Sequence, residues 1–192
     1  MSARSSILNT SENLHPRTKP QMTSRQRTFG TDLTNQTTHY KIDSIDIKNP
    51  SYLGEYAVDI YNHLHQTESD FSAKAGYMVV QENINEKMRS ILIDWLVEVH
   101  HKFKLAEETL FLTVNIIDRY LEKTQITREK LQLLGVGSML VACKYEEIYP
   151  PEIKDFVFIT DSAYTAEEVI DMENKVLRCL EFNVTTPSAF RF

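Results

Sequence analysis

The amino-acid sequence predicts an all-α protein in which several helices surround one buried central helix. Apolar residues recur at helical spacing over most of the chain after its first 52 residues, and sustained two-residue alternation is absent. The segment "TREKLQLLGVGSMLVACKYEE" (127–147) is apolar on nearly every side, which is typical of a helix enclosed by others. Its small residues, among them Gly135 and Gly137, would let neighbouring helices approach closely.

Length and composition suit one domain with a tail. The chain has 192 residues and a hydrophobic content of 42%, which is enough for a substantial core. Residues 1 to about 45 are rich in Ser, Thr, Asn and Gln and poor in aliphatic residues, so we expect a disordered tail there. Residues 1–41 carry six basic and two acidic side chains, whereas residues 42–192 carry 15 and 25. So acidic a body argues against binding nucleic acid through its phosphates.

The sequence also argues against metal, membrane and catalytic functions. Cys143 and Cys179 lie inside apolar helical patterns without metal-ligand spacing, so we expect reduced thiols in an intracellular protein. No run approaches the roughly 18 apolar residues of a membrane span, and the N-terminus lacks an apolar signal core. The adjacent acids Glu107/Glu108 and Glu146/Glu147 would diverge on a helix, and they are expected on solvated faces or at helix ends. We therefore expect an interaction module without a cofactor, metal site or catalytic residues.

The segment "KMRSILIDWLVEVHHKF" (87–103) holds more apolar residues than one buried face needs. Steps of about 100° per residue produce two apolar faces. The first face consists of Met88, Ile91, Leu92, Trp95 and Val99. The second face consists of Ile93, Leu96 and Val97, and Arg89 lies between the two. Either this helix is buried on most sides, or one of its faces is an exposed docking surface.

Three ionisable residues stand in apolar positions. Arg89 falls within the apolar arc of its helix, and Asp118 borders the apolar stripe of the next one. Because a buried lone charge is costly, we expect these two residues to pair and to fix how the helices meet. Lys144 shares a track with aliphatic residues of the central helix. It either extends its stem to the surface or offers a donor to a partner.

Helices are also predicted at both flanks. The segment "LGEYAVDIYNHLHQTE" (53–68) places Tyr56, Ile60 and Leu64 on one stripe, which predicts a helix lying on a larger body. The segment "TAEEVIDMENKVLRCLEF" (165–182) begins with Thr165 and has Glu168 three residues later, the pattern of a capping box.

Two long segments resemble the cyclin box of mitotic A/B-type cyclins. They are "MRSILIDWLVEVHHKFKLAEETLFLTVNIIDRYL" (88–121) and "KLQLLGVGSMLVACKYEEIYPPEIKDFVFITDSAYT" (130–165). The stretch "QENINEKMRSILIDWLVEVHHKF" (81–103) is closer to the B type. The resemblance implies a five-helix box with a preceding helix over 53–185. It also implies that 186–192 begin a truncated second box.

A member of this family would bind and activate a cyclin-dependent kinase and would have no catalytic activity itself. The resemblance implies that Lys144 and Glu173 hydrogen-bond the kinase near its mobile helix. Apolar kinase contacts would come from Leu177, Phe182 and Val184. The resemblance also matches Arg89 and Asp118 to a buried ion pair, and it implies a location in the nucleus and cytoplasm. The alternative is a cyclin-fold transcription adaptor of the initiation-factor-B type, which would require a basic face.

The resemblance further assigns the first face of residues 87–103. It implies an exposed patch that captures Arg-x-Leu motifs of substrates and inhibitors. The patch residues would be Met88, Ile91, Leu92, Trp95 and Gln132, with Glu98 and Asp161 receiving the basic end of the motif. A shallow apolar groove with acidic neighbours suits an extended peptide of this kind.

The tail segment "RQRTFGTDLTN" (25–35) is similar to the destruction box that the mitotic ubiquitin ligase reads, roughly Arg-x-x-Leu followed by Asn. Neither Arg25 nor Arg27 has Leu three residues later. Two interpretations remain, a chance match in a basic segment and a variant motif. The variant would consist of Arg27, Phe29, Leu33 and Asn35, with Lys41 and Lys48 as ubiquitin acceptors.

Overall fold

The computed structural model describes residues 54–188, and within them the all-α prediction is confirmed. The six α helices are α1 (Ala57–Glu68), α2 (Glu86–Phe103), α3 (Glu107–Lys123), α4 (Leu131–Glu146), α5 (Ile153–Ile159) and α6 (Ala166–Cys179). Short 3-10 turns occupy Gly54–Tyr56, Ser69–Phe71, Tyr77–Val80 and Arg128–Lys130. The predicted tail and the end of the second-box segment lie outside the described residues. So do Arg27, Phe29, Leu33, Asn35, Lys41 and Lys48.

Helix α4 is the centre of the bundle and contacts the other four helices of the box. Every residue from Leu133 to Cys143 is buried. Burial is therefore continuous around the helix, as its sequence predicts. Cys143 lies fully inside this core, where burial raises the pKa of its thiol to about 12 and the nearby charge of Glu147 contributes. Both cysteines are free thiols.

Two glycines let α2 and α6 approach the backbone of α4. A Cβ atom at Gly135 would stand 2.8 Å from Cδ1 of Leu92 on α2. A Cβ atom at Gly137 would stand 2.8 Å from Cγ of Met172 on α6 and 3.4 Å from the backbone nitrogen of Glu173. The absence of side chains at these two positions therefore sets how closely both helices pack.

The N-terminal helix α1 differs from its prediction. None of its residues is buried, and Tyr56 and Ile60 of its apolar stripe are exposed, with Leu64 half-buried. The stripe was predicted to lie on a larger body, and within residues 54–188 the exposed Tyr56 and Ile60 depart from that prediction. The amphipathic pattern is present, but only Leu64 of the three stripe residues is partly covered.

Helix α3 is held at both ends by side chains that are distant in sequence. At its C-terminal end the buried Gln81 donates from Nε2 to the carbonyl oxygens of Leu121 at 2.6 Å and Thr124 at 2.9 Å. At its N-terminal end Oε1 of Glu147 accepts from the backbone nitrogen of Ala106 at 2.7 Å and from Oγ1 of Thr109 at 2.5 Å. Groups that a helix end leaves unpaired are thus satisfied by other elements. Glu147 was expected on a solvated face or at a helix end, and its role on α3 was not predicted.

Arg89 on α2 and Asp118 on α3 form an ion pair with two hydrogen bonds. Nε and Nη2 of Arg89 lie 2.6 Å from Oδ1 and Oδ2 of Asp118, respectively. Tyr77 completes the group, because its hydroxyl donates to Oδ1 of Asp118 at 2.5 Å. Burial raises the pKa of the Tyr77 phenol well above its usual range, and Asp118 raises it further, so the phenol stays a neutral donor. One carboxylate thus joins α2, α3 and the turn before α2.

The local capping prediction at α6 is confirmed. Oγ1 of Thr165 accepts from the backbone nitrogen of Glu168 at 3.2 Å, and Oε2 of Glu168 accepts from the backbone nitrogen of Thr165 at 2.9 Å. This reciprocal pair starts α6 at Ala166. The residues of α6 that face α4 are consequently in a defined register.

We predict that Gly137→Ala destabilises the protein more than Gly135→Ala. The methyl group at 137 would meet Cβ of Met172 and the backbone of α6, which cannot move without shifting the helix, whereas the end of Leu92 can rotate. Overpacking costs about 1–3 kcal/mol, and the helix propensity of alanine returns about 1 kcal/mol. Urea unfolding should therefore show a loss for Gly137→Ala and nearly wild-type stability for Gly135→Ala. Equal midpoints for the two variants would contradict this.

We also predict that Asp118→Ala strongly destabilises the fold, because it leaves Arg89 and Tyr77 without their acceptor. The Asp118 side chain is 19% exposed. Loss of one partner costs about 3–5 kcal/mol in a buried pair, while exposed pairs contribute about 1 kcal/mol or less, so we expect about 2–4 kcal/mol. The control Tyr77→Phe removes one hydrogen bond and should cost about 1 kcal/mol. Similar urea midpoints for Asp118→Ala and Tyr77→Phe would refute the central role of the carboxylate.

Candidate functional site

A groove of about 260 Å³ runs between the N-terminal half of α2 and the start of α4. Its lining residues are Met88, Ile91, Leu92, Trp95, Arg128, Leu131 and Gln132. Five of the seven predicted patch residues therefore lie together in one groove. The remaining two, Glu98 and Asp161, are exposed but do not line it.

The buried and exposed residues of α2 do not coincide with the two predicted apolar faces. Ile91 is 58% exposed, and Met88 and Trp95 are half-buried, so this edge of the first face is open. Leu92 and Val99, assigned to the same face, are buried with Leu96. Steps of about 100° place these two residues only about 40–60° from Leu96, so all three share one side of the helix. Leu92 consequently forms the floor of the groove, where it packs against the backbone of Gly135.

Two groove residues were not predicted. Leu131 opens α4, and Arg128 lies in the 3-10 turn just before it. Arg128 stands four residues before Gln132, which is one helical turn, and this spacing was the available signal. Arg128 adds a positive charge to a groove whose expected ligand is basic at one end. The groove therefore carries its own cation, while the acidic neighbours lie outside it.

A second candidate surface lies where α4 ends beside α6. Nζ of Lys144 is 2.6 Å from Oε1 and 2.8 Å from Oε2 of Glu173. Half of the Lys144 side chain is exposed, whereas that of Glu173 is 11% exposed. Lys144 was predicted either to extend its stem to the surface or to offer a donor to a partner. Neither interpretation predicted an ion pair with another residue of this chain. The pair presents a fixed ammonium group at the surface with its carboxylate behind it.

The segment after α6 makes a tight turn and presents an aromatic side chain to solvent. Glu181 and Phe182 both have left-handed backbones, with φ of 53° and 61°, and Phe182 is 68% exposed. Of the other predicted apolar contacts, Leu177 is half-buried on α6 and Val184 is buried in the core. Phe182 is thus the member of this set that a partner can reach most fully.

The turn is joined to the end of α4 by a side-chain hydrogen bond. The hydroxyl groups of Tyr145 and Thr185 lie 2.5 Å apart. The end of α4 therefore contacts α6 through Lys144 and the segment after α6 through Tyr145. Ile148 and Tyr149, in the loop after α4, are also largely exposed. Large exposed apolar side chains are typical of a protein–protein contact.

Arg119 on α3 is buried with neutral acceptors. Its Nη1 donates to the carbonyl oxygen of Asn183 at 2.9 Å and reaches Oδ1 of Asn115 at 3.4 Å. Its guanidinium lies 5.4 Å from the centre of the Phe71 ring. Burial lowers the pKa of Arg119, and the nearby Cys179 and Glu122 partly offset this effect. Sequence periodicity did not single out this residue.

Residues 54–188 offer no grouping of three or more His, Cys, Asp or Glu side chains that could hold a metal ion. None of the helices in the described part of the chain has the length and hydropathy needed to cross a membrane. The functional interpretation rests on the groove between α2 and α4 and on Lys144, Glu173 and Phe182.

Comparisons with known proteins agree with the fold. Residues 59–185 match the family described as Cyclin, N-terminal domain. The viral cyclin from herpesvirus saimiri, known from an X-ray structure, superposes with a TM-score of 0.61 at 25% identity. The alignment covers 66% of this chain and 55% of the viral protein.

Sequence relatives are more similar still. The G2/mitotic-specific cyclin-B of Marthasterias glacialis is 52% identical over 151 residues, which are 79% of this chain and 39% of that protein. Cyclin-B2-1 of Oryza sativa subsp. japonica is 51% identical over 79% of this chain and 36% of its own length. The chain thus spans a little over a third of the length of these relatives. It belongs to the cyclin family, and these two relatives are B-type cyclins.

Proposed function

We propose that this chain is the kinase-binding part of a regulatory subunit and that it binds a cyclin-dependent kinase. The observation that carries the proposal is the exposed ammonium of Lys144, paired with Glu173, together with the exposed Phe182, in a chain with a cyclin N-terminal domain. By binding the mobile helix of the kinase, this surface would favour the arrangement in which the lysine–glutamate pair of the kinase forms. The chain would position the mobile helix of the kinase, and the kinase would supply all of the catalytic groups.

The chemistry of the surface supports a helix as its partner. A helix end or a turn offers backbone carbonyl oxygens, and the ammonium group of Lys144 can donate to such acceptors. Glu173 holds that ammonium in place with two contacts, so little side-chain freedom would be lost on binding. Phe182 would insert next to this polar contact. A buried aromatic anchor beside a charged group is a common arrangement of residues that dominate binding energy.

We predict that Lys144→Ala combined with Glu173→Ala weakens kinase binding at least about tenfold. Both partners are removed together because Lys144→Ala alone would leave the carboxylate of Glu173 largely buried and unpaired. Affinity should be measured by calorimetric titration with a purified cyclin-dependent kinase.

The matched control is Asp171→Ala combined with Lys175→Ala. These residues form an exposed pair on the same helix, with Nζ of Lys175 2.6 Å from Oδ2 of Asp171. The control should bind the kinase as the wild-type chain does, because exposed pairs contribute little. If the two double variants bind the kinase equally well, the Lys144–Glu173 surface is not the contact.

We also propose that the groove between α2 and α4 binds Arg-x-Leu motifs. Its apolar lining offers contacts for the leucine, and Ile91 is the most exposed of the apolar side chains that line it. Glu98 lies one turn after Trp95 on the same helix and is exposed, so it can meet the arginine of a peptide whose leucine is in the groove. Arg128 within the groove disfavours a second basic residue there.

We predict that Ile91→Ala weakens binding of a labelled Arg-x-Leu peptide about tenfold, as measured by fluorescence anisotropy. Ile91 is preferred to Trp95 for this test because Trp95 also packs against the core. The control Val79→Ala truncates a more exposed aliphatic residue outside the groove. Kinase affinity should stay unchanged in both variants. Equal peptide affinity of Ile91→Ala and Val79→Ala would exclude the groove as the docking site.

A further inference from the structure

The turn that carries Phe182 has an unfavourable backbone. Glu181 and Phe182 are consecutive left-handed residues, and neither is glycine or asparagine. Local hydrogen bonds close the turn, from the nitrogen of Phe182 to the oxygen of Leu177 at 2.9 Å and from Asn183 to Leu180 at 2.9 Å. Such a conformation persists only where surrounding contacts enforce it, and it is common at functional sites. Contacts from elsewhere in the fold must therefore hold this turn.

Arg119 provides the contact that reaches the turn from α3. Its bond to the carbonyl oxygen of Asn183 holds the residue directly after Phe182, 64 positions away in sequence. The arginine is only 7% exposed, and in residues 54–188 no carboxylate forms an ion pair with it. With neutral acceptors around it, the guanidinium is not drawn away from Asn183 by a stronger partner.

Asn115 and Phe71 also contact the arginine. Asn115 lies one turn before Arg119 on α3, and its Nδ2 donates to the carbonyl oxygen of Phe71 at 2.7 Å. The Phe71 ring lies against the guanidinium, a favourable contact for a desolvated cation. The 3-10 turn after α1 and the segment after α6 therefore meet at one buried arginine.

We infer that Arg119 is a positioning residue that holds the strained turn and thereby presents Phe182 to the kinase. It acts on binding through Asn183 and Phe182 and does not touch the partner itself. The kinase part of this inference rests on the proposed function. The effect on the turn can be measured without any kinase, so the two can fail separately.

The first experiment measures amide hydrogen exchange in the full 192-residue chain with Arg119→Met. Methionine keeps the apolar stem and its contact with Phe71 but removes the bond to Asn183. The amides of Phe182, Asn183 and Val184 should exchange about tenfold faster, while amides of α2 stay unchanged. The control Lys123→Met removes another cation of α3, whose Nζ lies 3.3 Å from the oxygen of Cys179, upstream of the turn.

The second experiment is a double-mutant cycle on affinity for a purified cyclin-dependent kinase. Arg119→Met and Phe182→Ala should each weaken binding about tenfold, and the double variant should also lose about tenfold rather than a hundredfold. Non-additivity is expected because Arg119 acts through Phe182. Arg119→Lys keeps the charge and should bind with intermediate affinity, and it serves as the test variant if Arg119→Met does not fold.

Additive losses, or an equal loss of Arg-x-Leu peptide affinity in Arg119→Met, would show a general structural role and overturn the inference. Unchanged exchange at residues 182–184 would overturn it as well. If the wild-type chain does not bind the kinase, the proposed function fails. Faster exchange in Arg119→Met, with Lys123→Met unaffected, would even then support Arg119 as the residue that holds the turn.

Discussion

The close approach of α2 and α6 to the backbone of α4 is the constraint on which the rest of the structure depends. Gly135 admits Leu92, and Gly137 admits Met172. Leu92 is the floor of the groove, and the residue after Met172 is Glu173, which pairs with Lys144. Both candidate surfaces therefore adjoin these contacts, and a methyl group at position 137 would press on the backbone that carries Glu173. Protein interiors are densely packed and transmit such displacements. The positions of the surface residues therefore depend on residues in the core.

Helix α3 plays a different role from α4, because polar side chains connect it to segments that are far away in sequence. Gln81 and Glu147 satisfy its two ends, and Asp118 joins it to α2. Near its C-terminal end, Arg119 reaches the segment after α6. Buried polar groups of this kind add little net stability when satisfied but cost much when left unpaired, so they favour one arrangement over its competitors. Apolar packing around α4 supplies the driving force, and these bonds define the register.

Sequence analysis predicted those features whose cause is local. Apolar residues on all sides of α4 and the capping box of Thr165 and Glu168 follow from neighbours within a few turns. The pairing of Arg89 with Asp118 followed from the need to neutralise a charge in an apolar place. Contacts between residues about 40 or more positions apart, such as those of Tyr77 and Glu147, leave no periodic signal. The stripe of α1 shows the converse, since an amphipathic pattern does not identify what covers it.

The two proposed binding surfaces are linked by α4 as a rigid spacer. Gly135 supports the groove, and Lys144 lies nine residues later, roughly 13 Å along the helix axis at about 1.5 Å per residue. The two proposed contacts therefore lie toward opposite ends of one helix. Since the helix is buried along most of its length, it cannot bend to change that distance. A substrate held in the groove would therefore meet the kinase at a fixed offset, and its local concentration there would depend on the segment between its docking motif and its reacting residue.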